Sequence, residues 1–269
     1  MTTDKTRRWE LMTSTEIAAT VRAGMDLAIL PVGATEQHGP HLATGTDSVS
    51  PEALAWRVSA ATGAVVLPTL SYGLSLGHTS RWPGTLSLHP QTMTQVVVEI
   101  GRWVVASGFR RLIMLSGNGP NQPPLDSARL QLRHEFPRCR FRVLTMFFVS
   151  PRVQKRYSAD ADDFHANDGE TSLLMHLRPE MVRPARAVDE EDVTPGLVWS
   201  YDMPATTRSG VVGRPRGSSA RAGKALLDML VEDTTDFVRK ALAEKWPAVP
   251  GPLKPARPKP RRKSRGKVR

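Results

Sequence analysis

Four short runs of branched apolar residues, Leu27–Val32, 64–70, Arg111–Ser116 and 141–148, alternate with stretches whose apolar side chains recur at helical spacing, 51–61, 92–106 and Gln122–Glu135. That alternation constrains the chain more than any compositional value, because buried strands separated by helices pair in parallel and are covered by those helices. The expected fold class is α/β, a three-layer α/β/α sandwich with a mostly parallel sheet. A last amphipathic run, 218–244, predicts a long helix that Pro247 ends. In sheets of this kind ligands bind beyond the carboxyl ends of the strands, so the loops after Val32, Leu70 and Ser116 are expected at one rim.

The first of those loops is dense in metal-ligand residue types. Glu36 and His38 are two residues apart, so in an extended segment they point the same way. Gly39-Pro40 then breaks regular structure, and Gly45-Thr46 lets the chain turn so that Asp47 can face the same point. A carboxylate, an imidazole and a second carboxylate able to bridge suit zinc, manganese or iron in a hydrolytic centre. The same residues also read as a solvated loop whose Asp47 caps the helix beginning at Ser48-Val-Ser-Pro-Glu52. Spacing alone leaves both readings open.

Composition fits a soluble enzyme and excludes little. Residues 1–249 are enough for one sizeable α/β domain. The single Cys139 rules out an intrachain disulfide and is expected to be structural, no secretory signal is visible, and no apolar run approaches the ~18 residues of a membrane span. A cytoplasmic location with no membrane span is the expectation. The formal charge of +11 is a property of one end: residues 250–269 hold nine Lys or Arg, five Pro and no acid, which leaves +2 for the rest. That segment is expected to be a disordered basic Pro-rich tail, either solvated without a fixed partner or binding a polyanion weakly by counterion release. Gly117-Asn-Gly119 lacks the Lys-Ser/Thr of a phosphate loop, and Ser116 lacks a nucleophile-elbow setting.

The wording Pro31-Val-Gly-Ala-Thr-Glu-Gln-His-Gly-Pro-His-Leu42, followed by Gly45-Thr-Asp47, resembles the opening signature of the creatininase (creatinine amidohydrolase) family. Further blocks follow in the family's order: Tyr72-Gly73 through His78 with Pro83-Gly-Thr-Leu-Ser-Leu88, then Ser116-Gly-Asn-Gly-Pro-Asn121, then Asp163-Phe-His-Ala-Asn-Asp-Gly-Glu-Thr-Ser172, then Ser209-Gly-Val-Val-Gly213 with Ser218-Ser-Ala220. Ordered blocks are far more specific than any one of them. The resemblance implies a creatininase-like fold and a centre of two divalent metal ions (Zn, Mn or Fe) that opens a C–N bond of a cyclic amide, formamide or peptide by a metal-activated water. It also implies a homo-oligomer, commonly a hexamer. By position it assigns Glu36 to one metal, His38 to the other, Asp47 to the bridge and Glu170 to a further carboxylate ligand. His165 falls where the family has a histidine for proton transfer or substrate contact.

One departure stands out. Most members read Asn-Gly-His-Gly-Gly-Asn in the third block and use its histidine as a metal ligand, whereas that position here is Asn118. An amide oxygen is a neutral, weak ligand, tolerable for manganese or magnesium but poor for zinc. Three outcomes follow: a loosely held second ion, a harder metal, or a binding protein that keeps the pocket without turnover. Asp168 stands where the family often has Glu and, with His165, is a candidate to protonate the leaving nitrogen. His78 and Trp82 are candidate substrate contacts, and Tyr201 and Trp199 could line the same pocket.

Overall fold

The computed structural model of the protein describes residues 6–247; the basic tail, 250–269, lies outside the described residues. The strands are β1 (Arg7–Arg8), β2 (Leu27–Val32), β3 (Val65–Val66), β4 (Arg111–Ser116) and β5 (Arg140–Thr145). They form one sheet in the order β1-β3-β2-β4-β5, parallel at every pairing. The helices that bear on the site are α2 (Thr46–Thr62), α3 (Pro90–Ala106), α4 (Gln122–Glu135), α6 (Asp168–Leu177) and α8 (Ala220–Ala243), with α1 (Ser14–Arg22), α5 (Pro151–Tyr157) and α7 (Met203–Thr206) completing the set.

Strand periodicity sorts the core. Leu27, Ile29, Ile113 and Leu115 face Leu54 and Val58 of α2 and Leu226 and Leu230 of α8, while Ala28, Leu30, Leu112 and Met114 face α3 and α4. Every residue of β2 is buried, as a parallel strand covered on both faces must be. The three-layer α/β/α architecture is therefore present. On one face α6 lies along α8 so closely that a Cβ at Gly223 would land on the Ser172 carbonyl.

Several boundaries differ from the sequence expectation, each for a local reason. The run 64–70 yields a two-residue strand because Pro68 has no ladder donor, although the chain rejoins the sheet where Leu70 lies beside Val32. The run 141–148 leaves the sheet at Thr145 and closes into a 3-10 turn, Met146–Phe148. Helix α2 starts at Thr46 rather than 51 and carries Pro51 inside it. Pro51 has no amide to donate to the Asp47 carbonyl, and Gly117 packs against that carbonyl and the proline ring, where a Cβ would collide with both. Helix α1 was not anticipated, yet Thr13 and Glu16 form a capping box, Thr13 N donating to Glu16 Oε2 at 2.7 Å. Cys139 is buried and free, and burial raises its thiol pKa. Among the described residues no helix is long and apolar enough to cross a membrane.

Candidate metal centre

Four ligand-type side chains converge at the carboxyl rim of the sheet. Glu36 and His38 come from the loop after β2, Asp47 from the first turn of α2 and Glu170 from the first turn of α6. All four are buried. A helix N-terminus favours negative charge, which helps explain why two of the carboxylates start helices. Asp47 does not cap α2, whose N-cap is Gly45. Glu170 is held from both sides: its amide donates to the Asn167 side chain at 3.1 Å, and its Oε2 accepts from the Ala166 amide at 2.7 Å. Between His165 and Asn167, Ala166 takes a left-handed φ of 52°, unique among the described non-glycine residues. This strained link lets His165 and the start of α6 face one cavity.

Ligand atoms of His38, Asp47 and Glu170 lie within 4.8 Å of one another, and so do those of Glu36, His38 and His165. His38 Nδ1 donates to the Glu36 carbonyl at 3.1 Å, which turns Nε2 toward Asp47 Oδ1 at 3.0 Å and Glu170 Oε1 at 4.0 Å. His38 Nε2, Asp47 Oδ2 and Glu36 Oε2 are buried without a hydrogen-bond partner. Orphaned donor atoms converging in this way fit a divalent cation. The electrostatics agree. Burial and then the Asp47 carboxylate push Glu36 up to about 8. Glu170 rises to about 7 through burial, with His38 opposing and Asp47 assisting. His38 rises to about 10 because the three carboxylates, Asp47 foremost, outweigh its burial. The cluster thus retains protons that a cation would displace.

Gln37, between two of the ligand-type residues, organises the surrounding imidazoles. Its Oε1 accepts from the Gly39 amide at 2.9 Å and its Nε2 donates to the Gly210 carbonyl at 3.3 Å, which fixes the amide orientation. Nε2 therefore also donates to His78 Nδ1 at 3.0 Å, leaving the His78 proton on Nε2, 3.4 Å from Glu36 Oε1. His165 Nε2 donates to the Gln37 carbonyl at 2.8 Å and contacts the Gln37 amide nitrogen at 3.1 Å. Its Nδ1, 3.4 Å from Glu36 Oε1, keeps a free lone pair. Burial and then the His38 charge lower His78 to about 3 and hold His165 well below its ordinary value, so both are neutral.

Asn118 lines the same cavity, with its amide nitrogen donating to the Leu74 carbonyl at 3.0 Å. Asn121 ties the rim together, accepting from the Leu74 amide at 2.8 Å and donating to the Gly33 carbonyl at 3.0 Å. The cavity, about 450 Å³, has Glu36, Asp47, His78, His165 and Glu170 in its wall. Two sequence candidates lie elsewhere. Asp168 is committed to Arg156 at 2.7 Å and to the hydroxyls of Ser172 and Ser218, and it is absent from the cavity wall. Trp82 lines a separate pocket on the far side of the 37–40 segment, under Arg81. Tyr201 reaches the cavity, whereas Trp199 is 76% exposed outside it. Gln37 and Asn121 were missed; both lie inside the quoted blocks, but neither is a metal-ligand residue type.

The family model for creatininase, described as creatinine amidohydrolase, matches residues 10–238. The chain belongs to the creatininase family. It is 32% identical over 247 residues to the creatinine amidohydrolase of Pseudomonas putida, covering 85% of this chain and 95% of that one. It is also 32% identical over 219 residues to the mycofactocin precursor peptide peptidase of Mycobacterium tuberculosis (strain H37Rv), covering 76% and 81%. A solved creatininase superposes with a TM-score of 0.78 at 31% identity, over 90% of this chain and 100% of the other. Solved creatininases include a zinc-zinc form and a manganese form.

Proposed function

We propose that the chain is a metal-dependent amidohydrolase that hydrolyses a C–N bond in a cyclic amide, formamide or peptide. The observation that carries this reading is the buried His38, Asp47 and Glu170 set, in which His38 Nε2 and Asp47 Oδ2 have no hydrogen-bond partner and the two carboxylates form part of the wall of a cavity large enough for a small amide. Creatinine and peptide hydrolases among its relatives point to the same bond class.

His38 Nε2, Asp47 and Glu170 would hold one divalent ion, zinc or manganese. Bound there, the ion supplies Lewis-acid polarisation and lowers the pKa of water toward neutrality. The remaining steps belong to the chain. His165 Nδ1, neutral and anchored through Nε2, is placed to accept a proton from the attacking water and return it to the departing nitrogen. His78 Nε2–H, held by Gln37, offers a hydrogen bond to substrate. The C–N bond breaks, the hydroxyl stays on the carbonyl carbon, and the nitrogen leaves with the proton.

A second ion at Glu36 is supported by the Glu36–His38–His165 set. One imidazole nitrogen has one lone pair, so His38 cannot serve both ions; the second would need Asp47 as the shared ligand and His165 in place of the histidine missing at Asn118. Elemental analysis with an amide and formamide panel tests these readings. The single-ion enzyme predicts one tightly held equivalent, lost with at least ~100-fold of the activity in Asp47→Asn. Asn118→His is expected to add a second equivalent. Metal-free chain that binds amides without turnover would instead support a binding protein.

A further inference from the structure

The chain carries 37 Lys and Arg against 26 Asp and Glu, yet among the described residues no Lys or Arg lines the cavity. Its mouth is instead walled by Asp162, Asp163 and Asp202. These come from separate places. Asp162 and Asp163 immediately precede Phe164-His165, and Asp202 stands at the N-terminus of α7 with its carboxylate against Gly77, beside His78. Several surface acids elsewhere are paired with cations, among them Asp168 with Arg156, Glu180 with Arg178 and Glu191 with Arg214. Among the described residues the carboxylates of the three mouth aspartates have no hydrogen bond or ion pair. Partial burial and the nearby Asp192 carboxylate raise the Asp163 pKa, the direction expected of a carboxyl that lacks a cation.

Two further observations point inward from that mouth. Glu36 Oε2 and Asp47 Oδ2, almost wholly buried and without a partner, form part of the wall deeper in the same cavity, where the C–N bond would sit. Phe148 and Tyr201, 57% and 46% exposed, line the same cavity and are aromatic groups of the kind that attract a cation.

We propose that the enzyme selects an amide substrate bearing a positive charge, an ammonium or guanidinium group, which Asp162, Asp163 and Asp202 hold at the mouth while the C–N bond lies against the metal centre. The inference rests on the amidohydrolase reading for where the bond sits, but not for the charge preference of the cavity. The aspartates act on substrate directly, through opposite charge in a recess where field lines concentrate, and removing their charge changes selectivity between substrates of equal size.

The test uses the full-length chain loaded with Mn²⁺ and three carboxamides of matched length, ending in an ammonium, a methyl or a carboxylate. Binding of each is measured by calorimetry and hydrolysis by kcat/KM, in the wild type and in Asp162→Asn/Asp163→Asn/Asp202→Asn. The expected wild-type preference is at least about tenfold for the ammonium over the methyl compound, equivalent to roughly 1.4 kcal/mol. In the variant the ratio falls toward one, and in the wild type it shrinks as salt is raised. An unchanged ratio in the variant, or equal loss for all three compounds with loss of Mn²⁺, overturns the inference by showing that the aspartates act through fold or metal. Preference for the neutral or anionic compound, or binding of none, also overturns it. Charge-selective binding without hydrolysis of any compound would uphold the charge site and reject the amidohydrolase reading.

Discussion

Gln37 shows how much one neutral side chain can decide. Its amide is oriented by two backbone groups, and that orientation sets which nitrogen of His78 carries the proton. Gln37→Glu replaces the donor at His78 with an acceptor, so the His78 proton is expected to move to Nδ1; nitrogen NMR of the imidazoles reads this directly. Loss of a group supporting a metal site costs roughly 10- to 100-fold in activity, and a drop of that size in kcat/KM is expected. Unaltered tautomers in the variant would remove Gln37 from this role. The convergence of the proposed ligands was legible because Glu36, His38, Asp47 and Glu170 are chemically distinctive types in ordered blocks. Gln37 and Asn121 were not, since an amide side chain acquires meaning only from neighbours such as Gly210, 173 residues away in sequence. Asp168 illustrates the converse: a carboxylate next to the site in sequence, yet spent on Arg156 because the first turn of α6 directs it away from the cavity wall.

Among elements, the seating of α6 against α8 matters most to the centre, because α6 delivers Glu170. Gly223→Ala would force a methyl into the Ser172 carbonyl, and overpacking of this kind costs about 1–3 kcal/mol. Thermal unfolding should register that loss, and metal affinity should fall with it because Glu170 moves with its helix; a variant of normal stability and metal content would show that the contact relaxes freely. The architecture was readable where hydrophobic period was strong. Strands β2 and β4 and helix α4 begin and end where the pattern places them. The pattern failed where backbone chemistry overrode it, at Pro68 in β3 and at the turn after Thr145. It overlooked α1, whose apolar face is narrow and whose clearest signal is the Thr13–Glu16 capping box.

For the molecule as a whole, the buried charges make stability depend on pH and on metal together. Glu36 at about 8, Glu170 at about 7 and His38 at about 10 are all raised above their unfolded values. A raised group stabilises the fold below its unfolded pKa and loses that contribution as pH climbs through the folded one. Below about 6.5 the depressed His78 and His41 act in the opposite sense, losing stability as pH falls. Between about 6.5 and 8 the opposing histidines are neutral folded or unfolded, so metal-free protein should lose stability steadily across that window. Added Mn²⁺ should raise the melting temperature more at pH 8 than at pH 6.5, because fewer protons then compete for the ligands. Equal metal-induced shifts at both pH values would mean that the ion binds elsewhere.

The dependence of α6 on α8 also sets an order of events during synthesis. Every proposed ligand has been made once the ribosome reaches Glu170, but the surface on which α6 rests is residues 220–243, among the last described parts of the chain. Until that helix emerges, a nascent chain holds the ligands of a metal centre without the support that brings them together, so metal capture belongs to the end of folding.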